Sequence, residues 1–235
     1  VFKTFTVAAG LDAGLIEPET EFLNLEKKLQ CGKSIITEYD NEISSDLTVE
    51  EILIRSGNIG SVRIGQKLEI EGLKSFLKKI GILNKIDFDI EEVGKPIPFR
   101  WGKCKLATAS FGHGITTTPL QLAKAYAIIS NGGFEIKPTL IKEDSVIIQK
   151  KRIIKEGVSQ KINLILRKVV TTEEGTAGFS NIAGYEVGGK TGTAEKAIEG
   201  GYTGKAKVNT FASIFPTTKP KYVLVVLLDE PKTSE

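Results

Sequence analysis

Apolar residues recur along the chain first at helical spacing and then at strand spacing. Phe2-Lys3-Thr4-Phe5-Thr6-Val7-Ala8-Ala9, with Leu11 and Leu15 following, predicts a buried helix at the start. Thr48-x-x-Glu51 is a capping box ahead of Ile52 and Leu53, and the short helix it opens runs into Ser56-Gly57-Asn58. Ile59, Val62 and Ile64 predict a second helix. Leu73, Phe76, Leu77 and Ile80 repeat at the i, i+3, i+4, i+7 spacing of a core-facing third. Residues 84–104 contain Gly94, Pro96, Pro98 and Gly102 and read as a long loop. The next helix is marked at both ends: Thr118 is its N-cap, Pro119 its first residue, Gln121 completes a capping box, and Asn131-Gly132-Gly133 stops it. Ser159 through Val170 forms another, with Val158, Ile162, Ile165, Leu166 and Val169 as its stripe.

Towards the end the period changes. Tyr185–Ala194, Val208–Phe215 and Tyr222–Leu228 read as strands, the last two joined by a turn over 216–220. Helices first and strands last predict an α+β fold with antiparallel strands. A mainly helical part covers about residues 1–157, and a helix-and-sheet part about 158–235. Tyr222–Leu228 is apolar almost without a break, the pattern of a strand covered on both faces.

Composition narrows the class. Of 235 residues, 40% are hydrophobic and 26% charged, which excludes wholesale disorder. The net charge of +3 gives no reason to expect a nucleic-acid partner, and Lys150-Lys151-Arg152 reads as a solvated turn. The longest apolar run, Tyr222–Leu228, falls well short of the roughly 20 residues a membrane helix needs. There is no Met, and the opening Val1-Phe2-Lys3 reads as the interior of something longer. Cys31 and Cys104 lack metal-ligand spacing, so no metal site is expected; free thiols are the expectation, with a single bridge as the alternative.

One lysine supports two readings. Gly184-Tyr185-Glu186-Val187-Gly188-Gly189-Lys190-Thr191 satisfies the G-x-x-x-x-G-K-[ST] string of a phosphate-binding P-loop, and Val225–Asp229 mimics the strand that ends in a magnesium-holding acid. A P-loop must open into a helix whose N-terminus faces the phosphates. Here Gly192 follows at once and Gly200-Gly201 soon after, so a P-loop NTPase is the outsider. The other reading takes Lys190-Thr191-Gly192 as the last element of the S-x-x-K, S-x-N, K-T-G set of penicillin-recognising acyl transferases. Lys3, Ser56 and Lys190 fall in that order, 53 and 134 positions apart.

Longer stretches favour the second reading. Leu106-Ala107-Thr108-Ala109-Ser110-Phe111-Gly112-His113-Gly114, then Thr118-Pro119-Leu120-Gln121-Leu122-Ala123 and Asn131-Gly132-Gly133, closely resemble the class B penicillin-binding proteins. So do Val187–Ala194 and Val1–Phe5, and the Arg100-Trp101 and Ala109–Gly112 wording is most similar to the septal, cell-division transpeptidases. The resemblance implies a penicillin-binding, serine β-lactamase-like transpeptidase fold: an antiparallel sheet flanked by helices plus an all-helical lobe. It also implies elements beyond both ends of this chain, including two strands before the motif serine and a final helix on the sheet. The nucleophilic Ser of the family stands three residues before the motif lysine, which places it immediately ahead of Val1, so the 235-residue chain is expected to be inactive.

By the same resemblance Lys3 is the candidate base, with Lys190 as the second cation that lowers its pKa. Ser56 would relay a proton to the leaving amine. Asn58 would hold the substrate amide carbonyl and the side chain of Lys3. Thr191 and Thr193 would bind the terminal carboxylate with Lys190, and the Thr193 N–H would complete an oxyanion hole. A side chain at Gly192 would block a peptide pairing along the strand edge. His113, the only histidine, reads as a loop residue. The implied function is a peptidoglycan D,D-transpeptidase that cross-links stem peptides and is trapped by β-lactams. It needs no metal or organic cofactor. The family is anchored in the cytoplasmic membrane by an N-terminal helix, with the catalytic domain on the outer, periplasmic side. The implied partners are a membrane-embedded glycosyltransferase and other division proteins. A D,D-carboxypeptidase or β-lactamase-type hydrolase, and a non-catalytic division scaffold, are the alternatives.

Overall fold

In the computed structural model, which describes residues 1–32, 34–142, 151–198 and 201–232, the helical stripes turn inward around one central helix. That helix is α1 (Lys3–Asp12), whose residues Thr4 through Leu11 are all buried. Its two threonines keep their hydroxyls bonded in the interior: Thr4 Oγ1 lies 3.0 Å from the Tyr126 hydroxyl, and Thr6 Oγ1 donates to Ser110 O at 2.7 Å. Two small antiparallel pairs follow, β1 (Glu21–Phe22) with β4 (Leu47–Thr48), and β2 (Lys28–Cys31) with β3 (Ser34–Thr37). These strands are only two to four residues long, too short for an alternation to mark them as strands.

The cap signals were literal. α2 (Val49–Ile54) opens on the reciprocal Thr48–Glu51 box, with the Glu51 N–H donating to Thr48 Oγ1 at 3.2 Å and the Thr48 N–H to Glu51 Oε2 at 2.7 Å. α3 (Asn58–Lys79) contains both expected helices as two segments, broken at Glu69, whose φ is 58°. α4 (Lys103–Ser110) was not foreseen. Its Gly102 cap offers no side chain, and the expected 84–104 loop gives way to helix at Lys103. α5 (Pro119–Ser130) repeats the capping box between Thr118 and Gln121. The buried Gln121 amide also donates to Ile82 O at 3.1 Å and Asn84 O at 2.8 Å, so the cap anchors the preceding connection. α6 (Glu156–Thr171) starts three residues before its expected first residue, and Ser159 Oγ accepts from the Gly132 N–H at 2.9 Å.

The sheet has the order β5 (Gly188–Ile198), β6 (Gly201–Phe215), β7 (Tyr222–Asp229), antiparallel throughout. β5 begins later than expected because a turn closes over Ile182–Tyr185, the Tyr185 N–H donating to Ile182 O at 3.2 Å, and Glu186 follows with φ 44°. It then runs on to Ile198 and pairs with Gly201, where no strand was assigned; Gly200 lies outside the described residues. Register places Lys190, Ala212 and Val225 together on the face that α5 and α6 cover. Thr191, Phe211 and Val226 share the opposite face.

Two expectations need correction and a third is met. With no further helix on the sheet among the described residues, one face of Tyr222–Leu228 is open: Leu224 is 48% and Leu228 53% exposed. An unbroken apolar strand carries no polar residues to tell its two faces apart, so its pattern alone could not show which. Cys31 and Cys104 are not free thiols but a disulfide, with Cα atoms 5.3 Å apart, which ties the end of β2 to the first turn of α4. Their separation of 73 residues hid the pairing. Arg152 is more than a solvated turn residue. It bridges to Phe134, lies 4.3 Å over that ring and donates to Gly132 O at 2.6 Å, while Lys150 lies outside the described residues.

Candidate active site

Three elements converge where α1 begins. Lys3, in the first turn of α1, donates from Nζ to Ser56 Oγ at 2.9 Å across 53 residues of sequence. Ser56 follows α2 in left-handed backbone, φ 62°, a conformation that a residue with a β-carbon holds only when its surroundings enforce it. Two residues on, the Asn58 amide nitrogen donates to Thr37 O at 2.8 Å. The structure therefore brings Lys3 to Ser56 and ties Asn58 to the end of β3; a direct Lys3–Asn58 bond is not formed among the described residues.

β5 forms the opposite wall. Lys190 is fully buried on the helix-covered face of the sheet, its ammonium donating to Thr176 Oγ1 at 3.0 Å and Thr191 O at 3.3 Å. Thr191 and Thr193 lie on the other face, on either side of Gly192, and Thr191 Oγ1 donates to Thr176 Oγ1 at 2.8 Å. β5 is an edge strand, and the Val1 nitrogen donates to Thr191 O at 3.1 Å along its free edge. Because strand groups alternate between edges, the Thr193 N–H points to that same free edge. A β-carbon on Gly192 would lie 3.1 Å from the Val1 nitrogen, so the glycine admits the start of α1 against the strand.

Burial sets the electrostatics. It lowers Lys3 to about 8, against the opposing pull of Glu38. It lowers Lys190 further, to about 7, with the charge of Lys3 acting in the same direction. Two ammonium groups are thus held within one site, each poised near neutrality and able to give up or take a proton there. His113 sits in the loop after α4, as its flanking glycines suggest, with φ 91° at Gly112 and 74° at Gly114. Burial and Lys105 lower its pKa.

Two site residues carried no sequence signal. Thr176 is one polar residue in a connecting segment. Gly175 lets the chain turn tightly enough to present it, since a β-carbon there would lie 2.2 Å from Val169 O. Glu38 stands in a polar stretch like many others, yet its carboxylate oxygens accept from the Asn58 N–H at 2.6 Å and the Ile59 N–H at 2.7 Å. The P-loop string fails on geometry: Lys190, Thr191 and Gly192 lie inside a β-strand, and among the described residues no helix N-terminus opens after them.

Known proteins share this fold. The family described as the penicillin binding protein transpeptidase domain matches residues 1–235. A Caulobacter vibrioides protein described as probable peptidoglycan D,D-transpeptidase FtsI is 34% identical over 242 residues, covering 98% of this chain and 40% of its own length. The Neisseria flavescens protein described as probable peptidoglycan D,D-transpeptidase PenA is 31% identical, over 97% of this chain and 56% of its own. Among solved structures, the transpeptidase domain of penicillin-binding protein 3 from Burkholderia pseudomallei superposes with a TM-score of 0.90 at 27% identity, covering 98% of this chain and 70% of that one. The chain thus spans about 40% to 56% of the length of these two relatives.

Proposed function

Because the chain belongs to the penicillin-binding protein transpeptidase domain family, we propose that its site carries out serine acyl transfer on peptidoglycan stem peptides, as a D,D-transpeptidase of cell division. The observation that carries this reading is the Lys3–Ser56 bond beside the free edge of β5. A serine attached to the Val1 nitrogen would stand one helical turn from Lys3 and against that edge. Its hydroxyl attacks the carbonyl carbon of the penultimate D-Ala, Lys3 takes the proton, and the oxyanion meets the Thr193 N–H. Ser56 relays a proton to the departing amine as the C–N bond breaks, and an amine of a second stem peptide then takes the acyl group. Thr191 and Thr193 hold the terminal carboxylate, Lys190 adds its charge from behind the strand, and the Asn58 side-chain amide donates to the substrate amide carbonyl. β-Lactams would stop the cycle at the acyl-enzyme. The Cys31–Cys104 bridge supports an oxidising compartment, in keeping with a catalytic domain on the outer side of the cytoplasmic membrane beside a glycosyltransferase and other division proteins.

The test is covalent labelling by a fluorescent penicillin. The chain extended upstream through a serine at that position should be labelled, and the 235-residue chain should not. In the extended chain Lys190→Ala should slow labelling strongly. Label on the unextended chain, mapped to a peptide within it, would overturn the placement of the nucleophile.

A further inference from the structure

The Ser56–Asn58 turn is held from outside its own element. Ser56 is in left-handed backbone, and Gly57 at the start of α3 has no side chain with which to cap the helix. The open N–H groups of that first turn go instead to Glu38, just past β3. One carboxylate oxygen takes the Asn58 N–H at 2.6 Å and the other the Ile59 N–H at 2.7 Å. The neighbouring Thr37 carbonyl takes the Asn58 side chain at 2.8 Å. Asp40 accepts from Arg55 at 3.2 Å on the other side of Ser56, so residues 37–40 grip the turn before and after its serine. The hairpin that delivers Glu38 is a two-stranded sheet, marginal by itself, and the Cys31–Cys104 disulfide fastens it to α4.

We propose that Glu38 is a positioning residue of the acylation site: it fixes Ser56 and Asn58 beside Lys3 and supplies the negative charge that acts on Lys3. The inference rests on the acyl-transfer reading. Glu38 from the end of β3 is the charge that acts on Lys3; Lys190 of β5 and the Val1 amino group just ahead of α1, which becomes an uncharged amide wherever a residue precedes it, feel the charge of Lys3 in turn. Glu38 is the anion among them and opposes the effect of burial. Its loss therefore drives Lys3 further down.

The experiment is the pH dependence of the acylation rate with a fluorescent penicillin, measured on the full-length protein, on Glu38→Gln and Glu38→Ala, and on Glu71→Gln as a remote surface control. In both Glu38 variants the limb belonging to Lys3 should move to lower pH by about half a unit to one unit. The limiting rate should fall about tenfold or more in Glu38→Ala. It should fall less in Glu38→Gln, which keeps one acceptor oxygen for the helix. Glu71→Gln should change neither. A lowered melting temperature with limb and limiting rate unmoved would make Glu38 a helix cap only and overturn the proposal. A parent protein that takes up no label overturns the acyl-transfer reading and the proposal together. A parent that labels normally beside an indistinguishable Glu38→Gln overturns the proposal alone.

Discussion

Leu73 in α3 and Leu228 in β7 have the same side chain and opposite surroundings: Leu73 is 0% exposed and Leu228 53%. The contrast holds for the two regions as wholes. In the helical part, apolar residues of α2, α3 and α6 pack against α1, and Phe5, Ile52, Ile59 and Ile64 are closed off from solvent. In the sheet, helices seal one face around Lys190, Ala212 and Ile214, although Leu227 at its far end is 42% exposed, and the other face presents Leu224, Val226 and Leu228 to water. The sealed face also encloses a lysine, so the sheet buries a cation and exposes leucines at once. Lys190 is buried where Thr176 and Thr191 supply its acceptors, and apolar composition alone does not say where that is.

The largest expected effect tests that buried cation. Lys3 and Lys190 titrate near 8 and 7 in the folded chain against an ordinary 10.5. Unfolding restores the ordinary value, so between about pH 7 and 10.5 the unfolded state binds more protons and stability rises with pH. Below that window both ammonium groups are charged in either state, and the full cost of burying them is felt. Each pKa unit corresponds to about 1.4 kcal/mol, so denaturant unfolding should show a gain of several kcal/mol between neutral pH and pH near 10. Lys190→Met should remove most of that rise and be more stable than the parent at acid pH. An unchanged slope would mean that the lysine is hydrated in solution.

Next in size is the leucine pair itself. Leu73→Ala should cost about 2–5 kcal/mol of unfolding free energy. Leu228→Ala should stay within about 0.5 kcal/mol. Equal costs would break the comparison, since they would mean that the outer face of the sheet is covered in solution. The smallest effect sharpens the helical side: Thr118→Ala removes one half of a capping box and should lower stability by about 1 kcal/mol, read from the melting temperature.

Sequence pattern exposed local structure well and spatial pairing poorly. The Thr48–Glu51 and Thr118–Gln121 boxes, the stop at Asn131 and the stripe of α6 are statements about neighbours in the chain, and each was legible. α4 was not, because it has neither a capping side chain nor a clear stripe. In the site, Lys3, Ser56 and Lys190 could be named from their motif order. Thr176 and Glu38 could not, because each acts through a contact with a distant strand or turn. The Cys31–Cys104 pairing likewise depends on a hairpin whose four-residue strands are too short to be read from alternation.

The disulfide also decides what a broken backbone means here. Residues 84–102 form an irregular connection with Ile90 and Ile97 largely exposed, the kind of segment a protease enters first. That connection lies inside the covalent ring closed by Cys31 and Cys104. A nick there divides the polypeptide without dividing the molecule. The piece bearing Lys3 and Ser56 stays bonded to the piece bearing Lys190, and the two migrate as one band in a gel until a reducing agent is added.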